Sequence, residues 1–229
     1  MLQGAQKKDK TQTTCIYNQL AKWKVHMSDT VIDSKQKSDV FQNVVIESRE
    51  EVPEISQYID EVIDRMTSLD YTVDDFVTLN EISATLHEDL PDSVFSICKD
   101  IFISDIIRLY TLFTSQTRRK RVRLQIEVVD SDMCRYFHID NYRQRLLCTY
   151  KGPGTEWLDP DNVNLDCLGK GCNNHIAKDM NKINRAKTFE VLIIKGAKYE
   201  GKDKSVVHRS PPIKKDRLKR ILLKIDERG

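Results

Sequence analysis

The sequence predicts an α+β fold in which a helical part packs on a mostly antiparallel β-sheet or barrel. Three observations predict it. Between about residues 53 and 117, apolar side chains recur at the helical period. From Val122 onward they recur at a period of two. Helices come first and strands follow, which argues against a parallel sheet of βαβ units. On this reading a loosely ordered polar arm spans 1–40, and one α+β domain spans 41–229, with its helical part over 41–117 and its β-rich part over 118–229.

The arm is rich in Lys, Gln, Thr, Ser and Asp, and only YNQLAKWKV suggests a short apolar face. His26 reads as a solvated surface histidine. In PEISQYIDEVIDRM, residues Ile55, Tyr58, Ile59, Val62, Ile63 and Met66 form one apolar stripe, with Pro53 near the start. A second helix is expected over DDFVTLNEISATLHEDL, bounded by Pro91, with His87 on its exposed side. The third, PDSVFSICKDIFISDIIRLYTLFTSQ, is long and strongly apolar, as a buried helix requires. VRLQIEVVD then alternates cleanly, and RYFHID, RQRLLCTY, FEVLIIKG, SVVHRS and RILLKID are further expected strands. Between them, KGPGTEW reads as a type II turn with Pro153 and Gly154 at its centre.

Composition narrows the function classes. Of 229 residues, 39% are hydrophobic and 31% charged, and the net charge of +2 does not by itself call for nucleic acid or an anionic membrane. No apolar run approaches the roughly 20 residues of a spanning helix, and the opening MLQGAQKKDKTQTT has no apolar signal core. An intracellular location follows as the expectation, cytoplasmic rather than nuclear. Cysteines 15, 98, 134, 148, 167 and 172 lack the spacing of a disulfide framework and read as free thiols. The basic runs TRRKRVR and KKDRLKR allow a modest basic face, hence the alternative of a non-catalytic module that meets nucleic acid or an acidic partner. They also suit a helix end, where cations complement the dipole.

One short pattern carries chemistry. Residues i and i+2 on a strand share a face, so His138 and Asp140 project together. They are two legs of a two-histidine, one-carboxylate triad, which leaves open positions on a divalent metal. Taken alone, such a pair is more often hydrogen-bonded structure on a half-buried strand than a metal site. A third ligand must come from downstream, where His175 lies in the polar loop CLGKGCNNH and His208 ends the apolar SVV; His208 is the better candidate. Cys167, Cys172 and His175 have a permissive zinc-type spacing but no fourth ligand, and otherwise form an ordinary loop. Tyr136 shares the face of His138, as a possible contact to the site or as plain core. Glu156 and Trp157 are candidates for a loop over the metal.

CRYFHIDNYRQRLLCTYKGPGTEWL, FEVLIIKG, VVHRSPP and RILLKID together resemble the uncharacterised family catalogued as domain of unknown function 1826, closely over about residues 120–226 and more loosely over the helical stretch before it. A more distant resemblance, resting on H-x-D and a distal histidine followed by a basic strand, is to the Fe(II)/2-oxoglutarate dioxygenases. It implies a double-stranded β-helix of the cupin-like kind, Fe(II) held by His138, Asp140 and His208, and 2-oxoglutarate as co-substrate. It further implies a basic residue after the distal histidine for the far carboxylate of the keto acid. Arg220 and Arg217 match that location, Arg220 the better because it opens a strand, with Arg145 in reserve. A cupin-like metalloprotein without 2-oxoglutarate would carry the same three ligands.

Overall fold

The computed structural model describes residues 43–118 and 121–227. The arm with Cys15 and His26, and Arg119 and Lys120 of the basic run, lie outside the described residues. Among the described residues nine strands and three longer helices follow in chain order: β1 (Val44–Glu47), α1 (Pro53–Val62), β2 (Leu69–Val73), α2 (Leu79–Asp89), α3 (Ser96–Thr117), β3 (Val122–Val129), β4 (Gln144–Lys151), β5 (Glu156–Leu158), β6 (Ile183–Arg185), β7 (Val191–Lys195), β8 (His208–Arg209) and β9 (Arg220–Glu227). They form a six-stranded sheet, β1-β7-β4-β9-β3-β2, and a three-stranded sheet, β6-β5-β8. Every pairing is antiparallel.

Alternation sorts the large sheet into two chemistries. One face presents Val122, Leu124 and Ile126 of β3, Leu146 and Tyr150 of β4, Val191 and Ile193 of β7, and Ile221, Leu223 and Ile225 of β9. Against these pack Ile55, Tyr58 and Ile59 of α1, Ile82 and Leu86 of α2, and Phe102, Ile106 and Phe113 of α3. The helices form because their apolar residues share one stripe and their ends are set: Pro53 opens α1, and Thr78 with Glu81 makes a capping box on α2. Arg118, in the left-handed conformation, closes α3.

The opposite face turns Leu147, Leu192, Ile194 and Leu222 toward Trp157 of the small sheet and Ala186 just past β6. Alternation puts Arg145 and Thr149 of β4, and Arg220, Lys224 and Asp226 of β9, on this same inner side. The space between the sheets is therefore apolar in part and charged in part.

The stretch read as helical also holds β1 and β2, which pair at the two edges of the large sheet. Both are short; β1 exposes Val45 and Ile46 and shows no alternation, whereas LDYTV of β2 alternates over only five residues. RYFHID and SVVHRS are irregular over most of their length and meet at a bridge between His138 and His208. At the GPG turn the left-handed residue is Gly152, not Gly154. Gly154 is required for another reason: a Cβ there would collide with the Ala186 carbonyl, where the chain entering β5 lies beside the end of β6. Arg121 of the basic run is bound to Asp74 at 2.7 Å. Among the described residues no helix is long and apolar enough to cross a membrane.

Candidate metal centre

His138, Asp140 and His208 converge, with potential ligand atoms all within 4.8 Å of one another. Cis ligands on a six-coordinate ion stand about 3 Å apart at bond lengths near 2.1 Å, so the cluster is of the right size for one ion. They are the only such group of His, Cys, Asp or Glu among the described residues. The bridge between His138 and His208, with paired backbone bonds of 3.0 Å each way, brings the two imidazoles to a centroid separation of 4.6 Å.

Each imidazole is oriented by its own strand. His138 Nδ1 lies 2.8 Å from the Tyr136 carbonyl, and His208 Nδ1 lies 3.3 Å from that of Val206. A carbonyl only accepts, so Nδ1 carries a proton and Nε2 is the nitrogen that faces inward. His208 Nε2 is 2.9 Å from Asp140 Oδ2, and His138 Nε2 is 3.5 Å from Oδ1. A lone pair that close to a carboxylate oxygen is repulsive unless a proton or a cation lies between them. Burial opposes ionisation of Asp140, but its hydrogen bonds to His138 and His208 and the Arg145 charge outweigh it, holding the carboxyl far below its usual range. Burial likewise disfavours His138 protonation, and the Asp140 and Tyr136 contacts reverse that, raising its pKa. A two-imidazole, one-carboxylate donor set suits a divalent ion such as Fe(II).

Arg220 is the buried basic residue of the inner face, 1% exposed at the start of β9. Its guanidinium donates to the hydroxyls of Thr155 at 2.7 Å, Thr149 at 3.0 Å and Ser210 at 3.3 Å. No carboxylate among the described residues pairs with it, and its Nε has no hydrogen-bond partner. Burial without a counter-ion lowers its pKa to about 10, against a weaker opposing pull from Glu127 and Glu156. The site shares this interior. Trp157 stands opposite His208 in the β5–β8 register and packs on Leu147 and Leu222, so His208 faces the large sheet. Ser210, two residues on, follows the same side.

The other sequence candidates fall elsewhere. Arg217 is exposed in a turn with a left-handed backbone. Arg145 is committed to Asp140 and Asp226. Glu156 and Trp157 belong to strand β5 rather than to a covering loop: Glu156 is buried on the outer face between Arg185 and Arg209, and Trp157 is core. Tyr136 meets His138 through its carbonyl, while its exposed ring lies against Arg135. Cys167, Cys172 and His175 do not gather into a metal-binding group; Cys167 accepts from Asn164 and His175 is exposed. His87 lies 3.7 Å from Asp100 near the end of α2. Sequence reasoning passed over Thr149, Thr155 and Ser210, because hydroxyls scattered over 61 positions carry no local signal, whereas Asp226 shares the polar alternate of RILLKID with Arg220.

No curated protein matches the chain. Among solved structures it is similar to the dioxygenase for auxin oxidation 1 from Arabidopsis thaliana in a 2-oxoglutarate complex, at 11% identity over 79% of this chain and 73% of that one, TM-score 0.43. A putative oxygenase from Shewanella oneidensis aligns at 11% identity over 84% of this chain and 87% of that one, TM-score 0.42. The Fe(II)/α-ketoglutarate-dependent dioxygenase TqaL aligns at 10% identity over 92% and 87%, TM-score 0.41. The family model described as protein of unknown function, DUF1826, matches residues 31–226, and the chain belongs to that family.

Proposed function

We propose that the protein is an Fe(II)- and 2-oxoglutarate-dependent oxygenase, its two facing sheets forming a double-stranded β-helix. The observation that carries the proposal is Arg220. A buried guanidinium with no counter-ion is costly and calls for an anion to offset it. The hydroxyls of Thr149, Thr155 and Ser210 take the guanidinium hydrogens on their oxygens, which leaves their own hydrogens free to donate to a carboxylate.

In this reading His138, Asp140 and His208 hold the iron through two imidazole nitrogens and one carboxylate oxygen. The net charge of +1 then favours a dianionic keto acid, and Arg220 with its hydroxyls takes the remote carboxylate. Bound iron supplies the activation of O₂. The chain's own residues orient the ligands, fix the far end of the keto acid and line the interior with Trp157, Leu147 and Leu222 so that water is kept out.

Calorimetric titration of the metal-loaded protein with 2-oxoglutarate tests this. Binding is expected, with pyruvate, which lacks the second carboxylate, binding far more weakly. Arg220→Met should weaken 2-oxoglutarate by about 100-fold or more while leaving the metal in place. Unchanged affinity in Arg220→Met, or equal affinity for pyruvate, would contradict the assignment.

A further inference from the structure

We infer that Arg145 and Tyr142 are positioning residues that hold Asp140 as a one-oxygen metal ligand; the inference rests on the metal-centre reading above. Arg145 lies on the inner face of β4, directly opposite Asp226 of β9. Its Nε and Nη2 edge meets both oxygens of Asp226 (Nη2 to Oδ2 at 2.7 Å), a bidentate pair across two central strands. The remaining nitrogen, Nη1, donates to Asp140 Oδ2 at 2.8 Å. The Tyr142 hydroxyl donates to the same oxygen, and the Tyr142 ring lies under the guanidinium with its centroid 3.9 Å from Cζ.

The consequence is an asymmetric carboxylate. Oδ2 receives two donors, from Arg145 in β4 and from Tyr142 in the turn before it, and also lies 2.9 Å from His208 Nε2, whereas Oδ1 has only His138 Nε2 near it, at 3.5 Å. Oδ1 is thus the oxygen left for an ion. A carboxylate free to swing could bind through both oxygens and fill one of the three positions that a facial triad leaves open. The clamp keeps those positions available. Because Asp226 orients Arg145, it belongs to the same device although it does not touch Asp140.

Cobalt(II) is a suitable probe, since its visible absorption reports coordination number. Metal-free wild type should bind it. Arg145→Gln and Tyr142→Phe should each weaken it by about 10- to 100-fold, the tyrosine variant at the lower end, and alter the intensity of its visible bands. Arg145→Lys, which keeps the charge and loses the fork, should fall between. Tyr142→Phe keeps the ring beneath the guanidinium, so it reports the hydroxyl alone if Arg145→Gln folds poorly. Wild-type affinity and an unchanged spectrum in all three, with at most lower heat stability, would overturn the inference. Failure of the wild type itself to bind cobalt or iron would instead sink the metal centre on which it rests.

Discussion

Arg220 is a cation the fold has buried without an anion, and this has a consequence that can be measured with no ligand at all. An unpaired buried charge lowers stability, so Arg220→Met should melt higher than wild type when no keto acid is present, by about 1 kcal/mol or more, roughly 3 °C for a chain of this size. With 2-oxoglutarate added to the metal-loaded proteins the order should reverse, because the wild type gains the greater binding energy. Differential scanning with and without ligand checks both halves. Asp140→Ala should abolish metal binding, as iron stoichiometry will show. Asp105 makes the opposite case, a buried charge that is fully paired. Its carboxylate is bound by Arg49 at 2.6 and 2.9 Å and by the Tyr150 hydroxyl at 2.6 Å. Burial raises its pKa, but Arg49 and Arg108 outweigh that and hold it below the ordinary range. A depressed folded pKa gives stability that is complete above the unfolded value of about 3.9 and is lost as pH falls from there through the folded value. Asp105→Asn should flatten that acid limb in pH-dependent melting while lowering the neutral-pH midpoint by about 10 °C, since it breaks a buried pair.

At the scale of elements, the turn that follows Asp140 is held by close backbone contact. Ala197 N donates to the Asp140 carbonyl at 2.9 Å, Lys198 N to Tyr142 O at 3.1 Å and Gly196 N to Arg143 O at 2.8 Å. A Cβ on Gly196 would strike the Tyr142 and Asp140 carbonyls. Gly196→Ala should therefore weaken metal binding without touching a ligand, by a shift of the turn; equal cobalt affinity would argue against it. Long elements were legible in the sequence because a stripe of Ile55, Ile59 and Val62, or the alternation of Val122, Leu124 and Ile126, repeats often enough to define a period. Three-residue strands such as β5 and β6 never do so, β1 is a four-residue edge strand without alternation, and the alternation of β2 spans only five residues. The His138 and Asp140 pairing was legible because i and i+2 share a face over any extended stretch, even where the ladder is a single bridge. The loop expected over Glu156 and Trp157 was not borne out, since pairing of β5 on both sides is a long-range event.

Across the described residues the candidate metal centre and Arg220 lie on one side of a shared sheet. The helices cover one face of the six-stranded sheet, so stability is invested there, and the other face is left to form an interior with the three-stranded sheet. Truncating Leu124 to Ala, on the helix side, should cost about 2–5 kcal/mol in chemical denaturation yet leave metal affinity unchanged. Sequence periodicity could show that β9 has two chemistries, Ile221, Leu223 and Ile225 against Arg220, Lys224 and Asp226. Which of Arg217, Arg220 and Arg145 would lack a counter-ion depends on partners 5 to 81 positions away, and only the packed chain decides it. The most direct test of the central claim is anaerobic titration of the metal-free protein with Fe(II), then with 2-oxoglutarate, following visible absorption. A charge-transfer band that appears with the keto acid, and is lost in both His208→Ala and Arg220→Met, is the predicted result. Iron that binds with no band, or a band that survives in Arg220→Met, would contradict it.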